Sequence, residues 1–370
     1  MTKKYFHRVR ELSPTIFWIN NPTRQQAEMA ISEGALGCTN NPSYTQKMID
    51  HPEEGPYALK VLDEVIEEIE DDTKAAVEFQ ARMVKPIAEI FLPIFEESER
   101  RHGYVSIQGD PFHDQDLGYI VSESLENRKI SPNICCKIPT TEPGIEAMKE
   151  LVPLDIPLNA TECFGVSQVL AICDTYEKVS KDCGKKPMFY LSHIAGIYDD
   201  FLSNYVRENN VQISSDVLWQ AGLAVARRVY EVMKQRGYRA VFVGGGARGL
   251  HHFTEMVGGE VCITINWEGT ADKFIEQNPP VVYRLFNPVP KKVIAELMEK
   301  LPDFKRGYLD EGLKIEEFEG FGPVQLFRSS FTKSWQRVLE LIKNRREIKN
   351  HISSVTRGNS DAIAAKPSVK

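Results

Sequence analysis

Asn133-Ile134-Cys135-Cys136-Lys137-Ile138-Pro139 is a short apolar run carrying one lysine. Ser131-Pro132 closes it on one side and Pro139-Thr140-Thr141 on the other. Length and borders are those of a buried strand. An ammonium in such a strand is costly, because desolvation disfavours the charged form. Two readings follow for Lys137. Held neutral in an apolar pocket, it is a nucleophile toward carbonyl groups. Otherwise it snorkels outward or pairs with a carboxylate. What surrounds it decides between them.

Working outward, seven further β-rich runs share its character. Toward the N-terminus they are Thr15–Ile19, Ala35–Thr39 and Tyr104–Gln108; toward the C-terminus they are Pro157–Thr161, Met188–Ser192, Ala240–Val243 and Val261–Ile265. Helical patterns separate most of them, as along 23–34, 142–151, 166–180 and 211–235. Eight strands alternating with helices predict an α/β fold, a (β/α)8 TIM barrel that closes after the eighth strand. No GxGxxG dinucleotide fingerprint appears, so a doubly wound sheet fits less well. Residues 44–103 break the rhythm with two apolar helical sets and the acidic run Glu67–Asp72; they read as a helical insertion between strands 2 and 3. Residues 290–345 read as C-terminal helices packed over the barrel, within a single domain over 1–345. Residues 346–370 are expected to be a mostly disordered tail, and 1–13 a polar arm.

In such a barrel, chemistry sits at the C-terminal ends of the strands. Those ends carry Asn20, Asn41, Gln108, Lys137, Asn159 with Thr161, Ser192 and Arg248. A barrel built for stability alone has no need of a polar side chain at nearly every end. Singly, each has a plain alternative. Asn20 and Asn41 lie just ahead of prolines and suit turns; Ser192 suits a helix cap; Gln108 suits a strand end. Asn159 and Thr161, two apart, share one strand face. Arg248 follows Gly244-Gly245-Gly246-Ala247 after the seventh strand, where barrels often hold phosphate. His251 and His252 are adjacent rather than four apart, which argues against a metal pair; no metal and no cofactor are expected.

The chain has 370 residues, 42% hydrophobic and 26% charged, with a formal net charge of −7. That is ordinary for a globular protein and offers no domain-wide basic surplus for nucleic acid. An anionic substrate needs only a local cation. Its seven cysteines form no CxxC pattern and sit mostly in apolar runs; Cys135 and Cys136 face opposite sides of their strand. They read as reduced core thiols of a cytoplasmic protein. Neither a secretory h-region nor an apolar run of ~18 residues is present, so no membrane association is expected.

Three motifs resemble the transaldolase family. Gly37-Cys38-Thr39-Asn40-Asn41-Pro42-Ser43 is similar to G-x-T-[TS]-N-P-S, Lys137-Ile138-Pro139 to the K-[IL]-[PA] lysine strand, and Asn159-Ala160-Thr161-Glu162-Cys163-Phe164 to N-x-T-x-x-F. The resemblance implies a barrel with a Schiff-base lysine on its fourth strand. It implies transfer of a dihydroxyacetone unit from a ketose phosphate to an aldose phosphate, in carbohydrate metabolism of the pentose phosphate type, without metal or organic cofactor. Lys137 would attack the ketose carbonyl. Asn41 and Asn159 would position substrate and lysine, Thr161 would hold a proton-shuttling water, Ser192 would line the site and Arg248 would bind phosphate. A homodimer is compatible with it, and the oligomeric state stays open.

Three positions depart from the family pattern. Asn20 (or Asn21) stands where the family usually has an aspartate, Gln108 where it has a glutamate, and Ile197 where it has a second phosphate-binding arginine. An amide cannot act as a base. Asp110, Glu162 and His193 are the nearby substitutes; strand alternation predicts that Glu162 points away, which favours His193 or Asp110. Gln108 also occurs in the branch that releases dihydroxyacetone, so an aldolase (lyase) is the alternative enzyme. A catalytically silent sugar-phosphate-binding homologue is the third reading.

Overall fold

The computed structural model describes residues 3–364, with side chains described as far as residue 349. Eight parallel strands close into a barrel in sequence order: β1 Ile16–Asn20, β2 Gly37–Asn40, β3 Tyr104–Ile107, β4 Ile134–Pro139, β5 Leu158–Cys163, β6 Phe189–His193, β7 Val241–Gly244 and β8 Val261–Ile265. β1 pairs with β8 as well as β2, which closes the ring. The chain is thus a (β/α)8 barrel, as the strand count predicts.

Strand alternation sorts the side chains into layers. Trp18, Tyr104, Cys135, Tyr190, Val243 and Cys262 pack together as an apolar plug inside the barrel. Two residues further along the same strands come Asn20, Ser106, Lys137, Ser192 and Thr264. The interior therefore changes from apolar to polar toward the C-terminal ends. Gly37 belongs to the plug: a Cβ there would lie 2.4 Å from the Trp18 indole, so the strand can pass the ring only without a side chain. Outward-facing residues meet the helices; the Cys136 thiol donates to the Ser124 carbonyl at 3.2 Å, on the helix Leu117–Asn127.

Between β2 and β3 run three helices, Tyr44–Asp50, Gly55–Glu68 and Asp72–Glu97, as expected for the insertion. The longest starts at Asp71, whose side chain caps the Lys74 N–H. Its apolar face, including Phe79, Met83, Ile87 and Phe91, is buried. Leu117–Asn127 and Ala195–Glu208 are two further helices, which the sequence analysis does not pick out.

Two expectations at the ends of the chain are corrected. The N-terminal arm is a helix, Tyr5–Leu12, because Tyr5, Phe6 and Val9 form one apolar stripe. Phe6 stacks on Phe17 with centroids 4.0 Å apart. At the other end, one helix runs Gly322–Ala364, so 346–364 is helical where a tail was expected; 365–370 lie outside the described residues. Its middle is held to the insertion: Arg345 pairs with Asp63, Arg346 with Asp72 at 3.0 Å, and Lys349 with Glu67 at 2.6 Å. Among the described residues no helix is long and apolar enough to cross a membrane. The seven cysteines are free thiols, six of them buried.

Candidate active site

A cavity of about 370 Å³ opens at the C-terminal ends of the strands. Six of the residues picked from the sequence line it: Asn20, Asn41, Lys137, Thr161, Ser192 and Arg248. Gln108 and Asn159 do not. Gln108 lines a separate chamber of about 20 Å³ behind Lys137. Asn159 lies beneath the cavity floor, fully buried. Its amide donates to Ser106 Oγ at 2.9 Å and its carbonyl accepts from Ser192 Oγ at 2.8 Å. It sits in register with Lys137 across the β4–β5 ladder.

Lys137 is 8% exposed. Burial lowers its pKa from 10.5 to about 7. Its Nζ donates to Asn41 Oδ1 at 2.5 Å, and no carboxylate among the described residues pairs with it. An amine with this pKa is substantially unprotonated near neutrality, which is what attack on a carbonyl needs. The snorkelling alternative fails, since the side chain stays inside the barrel.

Asn41 is itself oriented. Its Nδ2 donates to Asn20 Oδ1 at 3.0 Å, and its backbone N–H donates to Asn21 Oδ1 at 2.9 Å. Asn21 holds that position with a left-handed φ of 45°, a conformation asparagine tolerates. Asn20 Oδ1 also accepts from Thr39 Oγ1 at 2.8 Å, while its Nδ2 donates to Asn266 Oδ1 at 2.9 Å. Both ends of the Asn20 amide are thus in use, and the residues around position 20 are arranged for an amide. Thr161 Oγ1 is buried and has no hydrogen-bond partner among the described residues.

Arg248 stands at the mouth, where its Nε pairs with Asp200 at 2.5 Å. Its loop is fastened from behind. The Arg248 N–H donates to His252 Nδ1 at 3.3 Å, and His252 Nε2 faces Asp199 Oδ2 at 3.0 Å. With His251, these make the one group of metal-ligand type among the described residues. Asp199 Oδ1 takes the Gly222 N–H at 2.7 Å, so the atoms of Asp199 and His252 are already engaged in holding the loop. Ile197, in place of an arginine, lines the cavity on the same side, together with Phe327 and Phe331 of the long C-terminal helix.

Sequence reasoning missed several contributors. Lys47 lines the cavity and donates to the Asn21 carbonyl at 2.8 Å; burial lowers its pKa. It lies four residues after Ser43 on the helix following the Asn-Pro-Ser turn, a spacing that could have exposed it. Asn266 is the polar residue directly after β8 and was equally readable as a strand end. Of the suggested substitutes for the lost carboxylates, His193 is fully buried beside Phe242 and lines neither cavity; burial lowers its pKa to about 4. Asp110 lines the small chamber, its oxygens taken by His113 Nδ1 and the Phe112 N–H, each at 2.9 Å.

Glu162 is a correction. β5 pairs regularly with β6 as far as Ala160↔Leu191, then slips so that Cys163 meets His193. This bulge puts an extra residue into β5, and Glu162 adopts a left-handed φ of 61°. Simple alternation no longer applies, and the carboxylate turns toward Gln108, whose Nε2 reaches Oε1 at 3.4 Å.

The family profile described as Transaldolase/Fructose-6-phosphate aldolase matches residues 17–316, from β1 to just before the long C-terminal helix. Curated relatives agree. "Transaldolase 2" of Streptomyces avermitilis is 28% identical over 61% of this chain, and the match spans 62% of that protein's length. "Transaldolase" of Thiobacillus denitrificans is 22% identical over 82% of this chain and 88% of its own. With the barrel, the buried lysine and the profile match in agreement, the chain belongs to the transaldolase/fructose-6-phosphate aldolase family.

Proposed function

We propose that the protein is a Schiff-base-forming transferase that passes a dihydroxyacetone unit from a ketose phosphate to an aldose phosphate, in carbohydrate metabolism of the pentose phosphate type. The observation that carries this reading is the buried Lys137, lowered to about 7 at the floor of the cavity and hydrogen-bonded only to an amide. Its lone pair attacks the ketose C2 carbonyl, and loss of water leaves an iminium. The iminium takes up the electron pair when the C3–C4 bond breaks, and the enamine adds to the acceptor aldehyde. Asn41 holds Nζ on the approach line. Asn20, fixed by Asn266, keeps its second Nδ2 hydrogen for a substrate hydroxyl, and Ser192 and Thr161 line the same space. Arg248 and Lys47 supply positive charge at the cavity for the phosphate.

Gln108 favours a second reading, the release of free dihydroxyacetone as an aldolase. One assay separates the two. A ketose phosphate is supplied with and without an aldose phosphate acceptor, and products are followed by mass spectrometry. Transfer requires that turnover depend on the acceptor; equal turnover without it means release. Lys137→Met abolishes either activity, and surviving turnover in that variant would place the chemistry elsewhere.

A further inference from the structure

The small chamber behind Lys137 holds a carboxylate that the mechanism above leaves unused. Lys137, Gln108 and Glu162 all line it. Its volume, about 20 Å³, exceeds the ~10–15 Å³ that one water needs. Glu162 is fully buried. The bulge in β5 holds it in a left-handed conformation, a cost that segments tolerate mainly at functional sites. Its Oε1 meets Gln108 at 3.4 Å, and its Oε2 has no hydrogen-bond partner among the described residues although Arg328 lies 3.6 Å away. Gln108 Oε1 and Thr161 Oγ1 are likewise buried without partners. The chamber's other acids are engaged: Asp110 as described, Asp114 by Arg328 Nε at 2.8 Å and Gln115 Nε2 at 3.3 Å, and Glu123 through both oxygens on the Asp110 N–H at 3.0 and 3.2 Å.

We propose that Glu162 is the proton relay of the Lys137 site, occupying by way of the β5 bulge the role that Gln108 cannot fill. The proposal rests on the Schiff-base reading of Lys137. In it, Nζ attacks C2, the N–C bond forms and the carbonyl π pair moves to oxygen, which takes a proton from nitrogen. The Glu162 acid, through the chamber, supplies one proton to that hydroxyl. The C–O bond breaks, water leaves, and the nitrogen lone pair closes the iminium. The Glu162 carboxylate then balances the iminium charge, and it regains its proton when the imine hydrolyses. Burial, aided by the nearby Asp114 and Glu319, raises the Glu162 pKa and favours the acid form this needs; Arg328 and Lys137 act the other way. Arg328 is shared with Asp114 at 2.8 Å and Glu319 at 3.3 Å, so it offsets the burial only in part.

The test compares wild type, Glu162→Gln and the exchange variant Gln108→Glu/Glu162→Gln. The first removes the carboxylate; the second moves it across one hydrogen bond. Glu162→Gln is expected to lower kcat by about 10²–10⁴-fold, with its thermal melt still cooperative. The exchange variant is expected to recover at least about tenfold of that loss, with the kcat–pH profile displaced from wild type. Should Glu162→Gln melt early, the exchange variant, which keeps one carboxylate and one amide in the chamber, still decides by its activity and shifted pH profile. Glu162→Gln within about threefold of wild type, or a folded exchange variant no better than the single one, overturns the proposal. Borohydride labelling of wild type keeps the two claims apart. Without an adduct on Lys137 the Schiff-base reading fails; with an adduct and unchanged Glu162→Gln kinetics, only the relay fails.

Discussion

Lys137 is kept inside the barrel against its own solvation, and the consequence is measurable in both directions. Its pKa is about 7 in the folded protein and near its usual 10.5 in the unfolded chain. Between those values the unfolded chain holds a proton that the folded chain lacks, so this residue makes stability rise with pH across that window. Below pH about 7 both states carry the charge, and the full cost of burying the ammonium remains. Lys137→Met should therefore be more stable than wild type, by at least ~1 kcal/mol at pH 6, the worth of about one pKa unit. Thermal melts at pH 6 and pH 9 check this, and the gain should shrink at the higher pH. A variant no more stable than wild type at pH 6 would mean that the lysine is not desolvated.

At the scale of elements, strands place the site and their irregularities tune it. Gly37 shows how tightly the plug under the site is built. Gly37→Ala would set a methyl 2.4 Å from the Trp18 ring, and overpacking of this kind costs about 1–3 kcal/mol. Chemical denaturation should show that loss, and an unchanged midpoint would show that Trp18 can move aside. The same elements explain what could be read from the sequence. Lys137, Asn41, Thr161 and Ser192 follow regular alternation at strand ends, so counting by twos leads to the cavity. Glu162, named among the substitutes, reads as pointing away because the period of two fails at a bulge, and nothing in Thr161-Glu162-Cys163 announces the extra residue. Lys47 comes from the insertion, and its place in the cavity depends on how that helix packs. Asn159 was assigned to the correct strand face, but the register places it below the floor, where it holds Ser106 and Ser192.

At the scale of the molecule, the eight-strand alternation was legible because the runs are short, β-rich and mostly bordered by turn residues. The C-terminal helix was legible as a helix, but not in its reach. It lies across the barrel mouth, where Phe327 and Phe331 wall the cavity and Arg328 joins Asp114 and Glu162 below. Its continuation past residue 345 was missed because the anchoring pairs with Asp63, Glu67 and Asp72 come from a segment nearly three hundred residues away in sequence. Arg328→Ala should cost on the order of 3 kcal/mol, because it strands the buried Asp114 carboxylate, its partner at 2.8 Å, rather than merely deleting a surface pair. A thermal melt within the error of wild type would show that Asp114 is held as a neutral acid without it. The most direct test of the whole account remains covalent. The protein is incubated with a ketose phosphate, reduced with borohydride, digested and mapped by mass spectrometry. A reduced sugar adduct is expected on Lys137, forming faster as pH rises toward about 7 and levelling above it. An unmodified Lys137 peptide, or an adduct on any other lysine, would contradict it.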